Sequence, residues 1–317
     1  KNRSISRTGN TKPYSAAVPL KILDITTYRA EEIKEIVRMR TANLPGNKLS
    51  HATFFWNSEH FTFQRPNFFT SVRMYSTRNM NMESPYNSEG LLNHHRGDGA
   101  NHIYTRGNEY EDISPVLDYQ KIPGATIVQK EQLPHHNQIK KLGLTDFVGA
   151  TTDGHYGVVG FDFKSIHDPL VARKSWFFFD EAYVCLGAGI STKSKNEVHT
   201  TLNQSLLKGP VHIAVNGQVY PLGNKSGVHS GVKWIHHDNI AYLLPQAQDI
   251  SIESELASGS WWRISKQIDS SKSTEQKEVF KTWINHGFSP DRATYAYIVR
   301  PHTTLEELDD KDLVSSI

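Results

Sequence analysis

From about residue 51 onward the chain is a succession of short runs rich in Phe, Tyr, Val and Ile, separated by Gly, Asn, Asp, Ser and Pro. Runs at 68–74, 156–163, 175–186, 210–219, 240–244 and 293–299 have strand length, and Asp153-Gly154 and Asn216-Gly217 supply hairpin chemistry. Many such runs with almost no helical period predict packed antiparallel sheets. The β-type texture covers roughly 260 residues, so long strands or more than two sheets are expected. The segment 270–277 reads as a charged surface turn.

Only 19–42 has a helical period. Ala30, Ile33, Ile36, Val37, Met39 and Arg40 recur at three-to-four spacing among Glu31, Glu32, Lys34 and Glu35, with Thr27 as N-cap and Pro45-Gly46 as terminator. Residues 1–18 are polar and read as loop. The chain starts at Lys1 and ends in an acidic, then apolar stretch with no closing strand. These ends are those expected of a piece of a longer protein.

Composition narrows the function. Lys and Arg total 35 against 33 Asp and Glu, a formal charge of +2. Nucleic acid rewards a basic surface, so it is not an expected partner. One cysteine excludes a disulfide scaffold and a Cys-rich zinc site. No run of about 18 apolar residues exists, so no membrane partner is expected. The 14 Phe, 13 Tyr and 6 Trp suit either a large sandwich core or a surface that meets sugar rings.

Generic catalytic motifs are absent: no GxSxG, P-loop, GxGxxG in a βαβ unit or HExxH. The pairs His94-His95, His135-His136 and His236-His237 invite a metal reading. Neighbours on a strand point to opposite faces, so a pair rarely gives one ion two ligands. Arg96-Gly97-Asp98 spells an adhesion tripeptide but reads as a turn. Trp176 and 177–179 read as core, and Cys185 as a small buried hydrophobe. Trp261-Trp262 reads as packing or as a sugar platform.

Several blocks carry more information together. They are Arg3-Ser4-Ile5-Ser6-Arg7, Arg73-Met74-Tyr75-Ser76-Thr77-Arg78, Glu83-Ser84, Asn87-Ser88-Glu89-Gly90-Leu91-Leu92, Gly97-Asp98-Gly99-Ala100 and Gly107-Asn108-Glu109-Tyr110. Further on come Pro115-Val116-Leu117-Asp118-Tyr119-Gln120-Lys121-Ile122-Pro123-Gly124, Thr145-Asp146-Phe147-Val148-Gly149, Lys174-Ser175-Trp176-Phe177-Phe178-Phe179-Asp180 and Val184-Cys185-Leu186-Gly187-Ala188-Gly189-Ile190. Thr200-Thr201-Leu202-Asn203-Gln204-Ser205, Trp283-Ile284-Asn285-His286-Gly287 and Ala293-Thr294-Tyr295-Ala296-Tyr297-Ile298-Val299 complete the set. In this order the chain resembles polysaccharide lyase family 8, which holds chondroitin AC, hyaluronate and xanthan lyases. Its look is nearest to the chondroitin AC branch.

The resemblance implies a mainly β fold: a large antiparallel β super-sandwich at 51–317, preceded at 1–50 by the end of an N-terminal α/α toroid. It implies β-elimination at a uronic acid, giving a 4,5-unsaturated sugar. The substrate would be chondroitin sulfate or hyaluronan, with xanthan or another uronate polymer as an alternative. The His–Tyr pair for proton transfer belongs to the toroid upstream of Arg-x-x-x-Arg, so this chain alone is expected to be inactive. A non-catalytic carbohydrate-binding module is the alternative from another class.

Residue by residue, the resemblance puts Arg3 beside the catalytic tyrosine and the bridging oxygen, and Arg7 on the neighbouring sugar. Glu83 would hold Arg3 and the toroid histidine in position, and Asn87 would line the same loop. The family spacing between these two is three and here is four, so Pro85 or Tyr86 is an insertion. Glu89 is an alternative loop carboxylate. Arg73 and Arg78 would line a positive cleft for a sulfated chain, or form ordinary surface ion pairs. Some relatives hold a divalent ion with acidic residues after the Pro-Val motif. Here Asp118 remains, but Gln120, Gln129 and Lys130 take the other positions, so no metal and no cofactor are expected. The resemblance further implies a monomer that packs against the toroid and a C-terminal β domain. The substrate class implies a secreted or periplasmic protein.

Overall fold

A computed structural model describes residues 14–42, 49–223 and 226–308. The helical leader is two helices, α1 (Ala17–Ile25) and α2 (Ala30–Thr41), not one. Thr26 is extended at φ −152°, and its hydroxyl accepts from the Tyr28 N–H at 3.1 Å. Arg29 then takes a left-handed conformation at φ 52° and is the N-cap of α2, without a side-chain bond. Thr27, expected in that role, contributes only its carbonyl, which accepts from the Ala30 N–H at 3.2 Å. Glu31 and Glu32 open α2 and Arg38 and Arg40 close it, the polarity that suits the helix dipole. Lys34–Glu31 at 2.7 Å and Arg38–Glu35 at 2.6 Å add one-turn pairs. Pro45-Gly46 lies outside the described residues.

Sixteen strands follow among the described residues. The first four are β1 (His51–Phe55), β2 (His60–Gln64), β3 (Phe69–Arg73) and β4 (Ala100–Tyr104), an antiparallel meander in the order 1-2-3-4. The others are β5 (Thr126–Val128), β6 (Val148–Thr152), β7 (Gly157–Lys164), β8 (Leu170–Phe178), β9 (Tyr183–Thr192), β10 (Glu197–Leu206), β11 (His212–Val215), β12 (Gln218–Pro221), β13 (Gly227–His237), β14 (Ile240–Gly259), β15 (Glu275–Phe288) and β16 (Ala293–Pro301). They form one twelve-stranded antiparallel sheet, whose main path runs 12-11-13-14-16-9-8-7-6. The 20 residues of β14 let it pair with β13, β15 and β16, and β15 carries β10 and β5 as a branch. Long strands and a branched sheet thus absorb the length that one simple sandwich would not.

Two expected runs divide. The run at 175–186 is the end of β8 and the start of β9, joined by a turn in which the Phe179 N–H donates to the Ala182 carbonyl at 2.9 Å. The run at 210–219 folds back at Asn216 and Gly217, both at positive φ (52° and 76°), as a two-residue hairpin requires. The expected surface turn at 270–277 is shorter, because β15 begins at Glu275.

Strand alternation builds the main core. Phe61 and Phe63 of β2 meet Phe178 of β8 at ring distances of 4.9 and 5.1 Å, and Phe178 stacks on Tyr183 at 5.4 Å. Trp176, Cys185, Tyr242 and Tyr297 lie in the same cluster. Burial pushes the Cys185 thiol up to about 12, so it is an inert apolar group. A second core lies under the segment before β5, where Ile113, Val116, Leu117, Tyr119 and Ile122 pack on Trp261, Ile264 and Val279. Gly259 permits that approach, since a Cβ there would lie 1.9 Å from the Pro115 carbonyl oxygen.

β10 runs between these cores and is buried along almost all its length despite its polar sequence. Its side chains are paired instead of apolar. Asn203 accepts from the Tyr110 hydroxyl at 2.9 Å and donates to the Tyr242 oxygen at 2.6 Å. Gln204 accepts from the Asp118 N–H at 2.8 Å and donates to the Asp118 and Lys121 carbonyls. Satisfied in this way, buried amides fix the segment before β5 in one position.

Candidate functional site

The loop between β3 and β4 carries Glu83 and Asn87. Asn81, fully buried, fixes its start: its amide donates to the His94 carbonyl at 3.3 Å and accepts from the Lys141 N–H at 2.9 Å. Its return is bridged to the 3-10 turn at Trp261–Arg263 and the residues after it. Glu89 pairs with Ser265, and the Leu91 N–H donates to the Ile264 carbonyl at 3.0 Å. The Gln267 amide donates to the Asn87 carbonyl. Gly90 sits at φ 70°, where a Cβ would strike the Asn93 amide at 2.5 Å. A loop pinned at both ends thus presents Glu83 as an exposed carboxylate and Asn87 as a half-buried amide. The Asn87 side-chain oxygen accepts from the Glu89 N–H at 3.3 Å, which orients that amide.

Arg73 and Arg78 lie at the root of this loop, and both are engaged within the chain. Arg73 donates to the Ser58 and Met74 carbonyls, and burial lowers its pKa. Arg78 pairs with Glu59 at 2.6 Å and donates to the Asp146 carbonyl at 2.7 Å. Glu59 is fully buried and also accepts from the Ser76 hydroxyl at 2.5 Å. Arg78 thus pairs with a buried carboxylate while its own side chain stays half exposed. Arg3 and Arg7 lie outside the described residues.

In the segment after Pro115-Val116, the side-chain oxygens weighed as metal donors are engaged within the chain. The Gln120 side-chain oxygen accepts from the Lys130 N–H at 2.8 Å, and that of Gln129 accepts from the Lys121 ammonium at 2.5 Å. Asp118 Oδ1 accepts from the Gln120 N–H at 2.8 Å, and its Oδ2 lies 4.0 Å from the same ammonium. Lys121 also faces the Trp283 ring at 4.8 Å. The Lys121 ammonium thus takes the Gln129 oxygen and faces the Asp118 carboxylate.

Two clusters escaped the sequence. His94 and His95 lie on a 3-10 turn at Asn93–His95, not on a strand, so both rings turn inward. They meet His167 at ring distances of 5.3 and 5.6 Å, and His95 Nδ1 pairs with Asp98 at 2.8 Å. Burial pushes His94 down to about 4 and His167 to about 3. Among the described residues no group of three or more His, Cys, Asp and Glu side chains is placed to hold a metal ion. Asp98 is itself buried, so Arg96-Gly97-Asp98 offers no adhesive carboxylate. The second cluster is on the surface. Asp180 accepts from the Tyr156 hydroxyl at 2.8 Å, pairs with His155 at 3.0 Å and pairs with Arg65 at 3.0 Å. That bond to Asp180 raises the Tyr156 pKa, the wrong direction for a base.

Comparison with known proteins agrees with this architecture. The family model described as polysaccharide lyase family 8, super-sandwich domain, matches residues 50–312. The chain belongs to polysaccharide lyase family 8. A relative in the family, the chondroitinase-AC of Pedobacter heparinus, is 40% identical over 250 residues, which are 78% of this chain and 35% of that protein. A hyaluronate lyase of Thermasporomyces composti is 30% identical over 254 residues, 77% of this chain and 32% of the relative. A solved chondroitinase AC lyase, studied as enzyme–oligosaccharide complexes, superposes with a TM-score of 0.83 at 32% identity, covering 95% of this chain and 44% of that one. The chain thus spans about a third of the length of these curated family 8 relatives. Several family blocks now have a physical role. Glu109 caps the 105–107 backbone, Asn203-Gln204 clamps the segment before β5, and Trp176 with Phe178 fills the core.

Proposed function

We propose that this chain is the super-sandwich part of a lyase that cleaves uronic-acid-containing glycosaminoglycans, chondroitin sulfate or hyaluronan, by β-elimination. The observation that carries this reading is the likeness to chondroitinase-AC, 40% identical over 78% of the chain. Elimination removes the proton at C5 of the uronate, expels the glycosidic oxygen at C4 and leaves a C4–C5 double bond. Negative charge gathers beside the carboxylate as the proton leaves, so cations and donors fixed at that place lower the barrier. A base must reach the C5 proton, and a proton must reach the departing oxygen. In this reading Arg3 and Arg7 supply the charge, because a guanidinium stays ionised and binds in a fork. Glu83 aligns Arg3 from the pinned loop, and Asn87 donates to the sugar. The helical pair is the end of the toroid, whose remaining helices cover its apolar side, and the protein acts outside the cytoplasm as a monomer.

The test measures the ultraviolet absorbance of the unsaturated uronate as the protein carrying this chain meets chondroitin sulfate, hyaluronan and xanthan. Product from the first two is expected. Glu83→Gln is expected to lower turnover at least about tenfold, on the scale of a lost positioning contact. No product from any uronate polymer overturns the reading. A non-catalytic carbohydrate-binding sandwich is the second reading, with Trp56 and Tyr86, 70% and 84% exposed, as rings open to a sugar face. Binding without product would select it.

A further inference from the structure

The 3-10 turn at Trp261–Arg263 separates two adjacent tryptophans. Trp261 is 3% exposed and belongs to the second core, whereas Trp262 is turned outward and half-buried. The ammonium groups of Lys266 and Lys272 each lie 4.4 Å from the centre of the Trp262 ring. The Lys266 ammonium also donates to the Trp262 carbonyl at 2.6 Å. Both lysines are exposed, and neither forms an ion pair with a carboxylate among the described residues. Two cations drawn to one ring stand no more than about 9 Å apart, roughly a Debye length, and repel one another. An anion between them would relieve that repulsion, and the ring offers an apolar surface for the carbon face of the group that carries it.

The position of this pair relates it to the candidate site. The Lys266 N–H donates to the Ser88 carbonyl at 2.8 Å, and the neighbouring Gln267 amide donates to the Asn87 carbonyl. The Trp262 N–H donates to the Ser271 carbonyl at 2.9 Å, which closes the segment that brings Lys272 back to the ring. The turn and the loop carrying Glu83 and Asn87 are therefore one hydrogen-bonded body. Tyr86, 84% exposed on that loop, adds a second outward-facing ring.

We propose that Trp262, Lys266 and Lys272 form a subsite for the acid group, sulfate or carboxylate, of a sugar unit next to the one met by the Glu83–Asn87 loop. The proposal rests on the glycosaminoglycan reading above and adds where along the chain a neighbouring charge is read.

The test titrates the 317-residue chain with size-defined oligosaccharides of chondroitin sulfate and of hyaluronan, followed by calorimetry and tryptophan emission. Dextran serves as the neutral control. The double variant Lys266→Ala, Lys272→Ala is expected to bind the acidic glycans at least about fivefold more weakly, with a smaller response to salt. Trp262→Phe is expected to lose the emission change on binding while keeping part of the affinity. Loss confined to chondroitin sulfate assigns the pair to the sulfate, and equal loss for hyaluronan assigns it to the carboxylate. Both lysines are on the surface, so an unchanged melting temperature separates lost binding from lost fold. Wild-type binding with variants within about twofold overturns the subsite and leaves the glycosaminoglycan reading standing. No binding of either acidic glycan overturns the subsite, and the glycosaminoglycan reading falls with it only if the protein carrying this chain also forms no unsaturated product.

Discussion

The helical pair at 17–41 and the sandwich that follows it bury apolar surface to very different degrees. In α1 and the turn after it, Val18, Ile25 and Tyr28 are 66%, 82% and 77% exposed, and Pro19 is the one buried residue of the two helices. In the sandwich, Phe61, Val72, Val159, Cys185 and Leu244 are fully buried. α2 is braced by pairs one turn apart, worth a few tenths of a kcal/mol each. The sandwich is held by side chains far apart in sequence, as where Phe61 stacks on Phe178. Periodicity makes a helix, but only cover from elsewhere makes it a core element.

The sharpest way to break the contrast is in the main core. Trp176→Ala is expected to lower unfolding free energy by about 3–5 kcal/mol in a urea titration. Acid attacks the sandwich at its buried imidazoles. His94 and His167 are held near 4 and 3 in the fold, against 6.5 when free. Their contribution is complete above about pH 6.5 and is lost as pH falls towards 4, because the unfolded chain then binds more protons. The expected loss is about 1.4 kcal/mol per pH unit for each histidine within that window, read from urea midpoints at pH 7 and 5. Glu109 tests a polar anchor. Its buried carboxylate accepts from the N–H groups of Thr105, Arg106 and Gly107 and from the Thr105 hydroxyl. Glu109→Ala is expected to cost about 1–3 kcal/mol by thermal melting. Ile25→Ser and Glu32→Ala, in or beside the helices, are expected to change stability by less than about 0.5 kcal/mol. A larger cost at Ile25 would show that the helix is integral to the sandwich.

Local chemistry made much of the β-architecture legible. Asn216-Gly217 marked its hairpin because both positions need positive φ, and the runs at 68–74, 156–163 and 293–299 kept their aromatic and β-branched texture. The turn at 179–182 was hidden, since Asp180 and Glu181 lie between apolar neighbours without Gly, Pro or Asn. The break between α1 and α2 was hidden for a related reason: it depends on Arg29 adopting φ 52°, which no residue type there announces. At the candidate site, Glu83 and Asn87 could be singled out only by resemblance. What pins their loop comes from Lys141, Ile264, Ser265 and Gln267, some 50–180 residues away. The meeting of His94 and His95 with His167 has the same character: it is a property of the folded sheet, and no local spacing encodes it.

Lys121 carries a consequence of its own. A cation delivered by a side chain has a fixed effective concentration, unlike one drawn from solution. Its occupancy follows no ion level outside, and no chelator competes for it. The segment from Asp118 to Lys121 is therefore expected to keep its place whatever the mineral content of the medium. The melting temperature should be the same in EDTA and in millimolar calcium, and a shift of several degrees between them would contradict this.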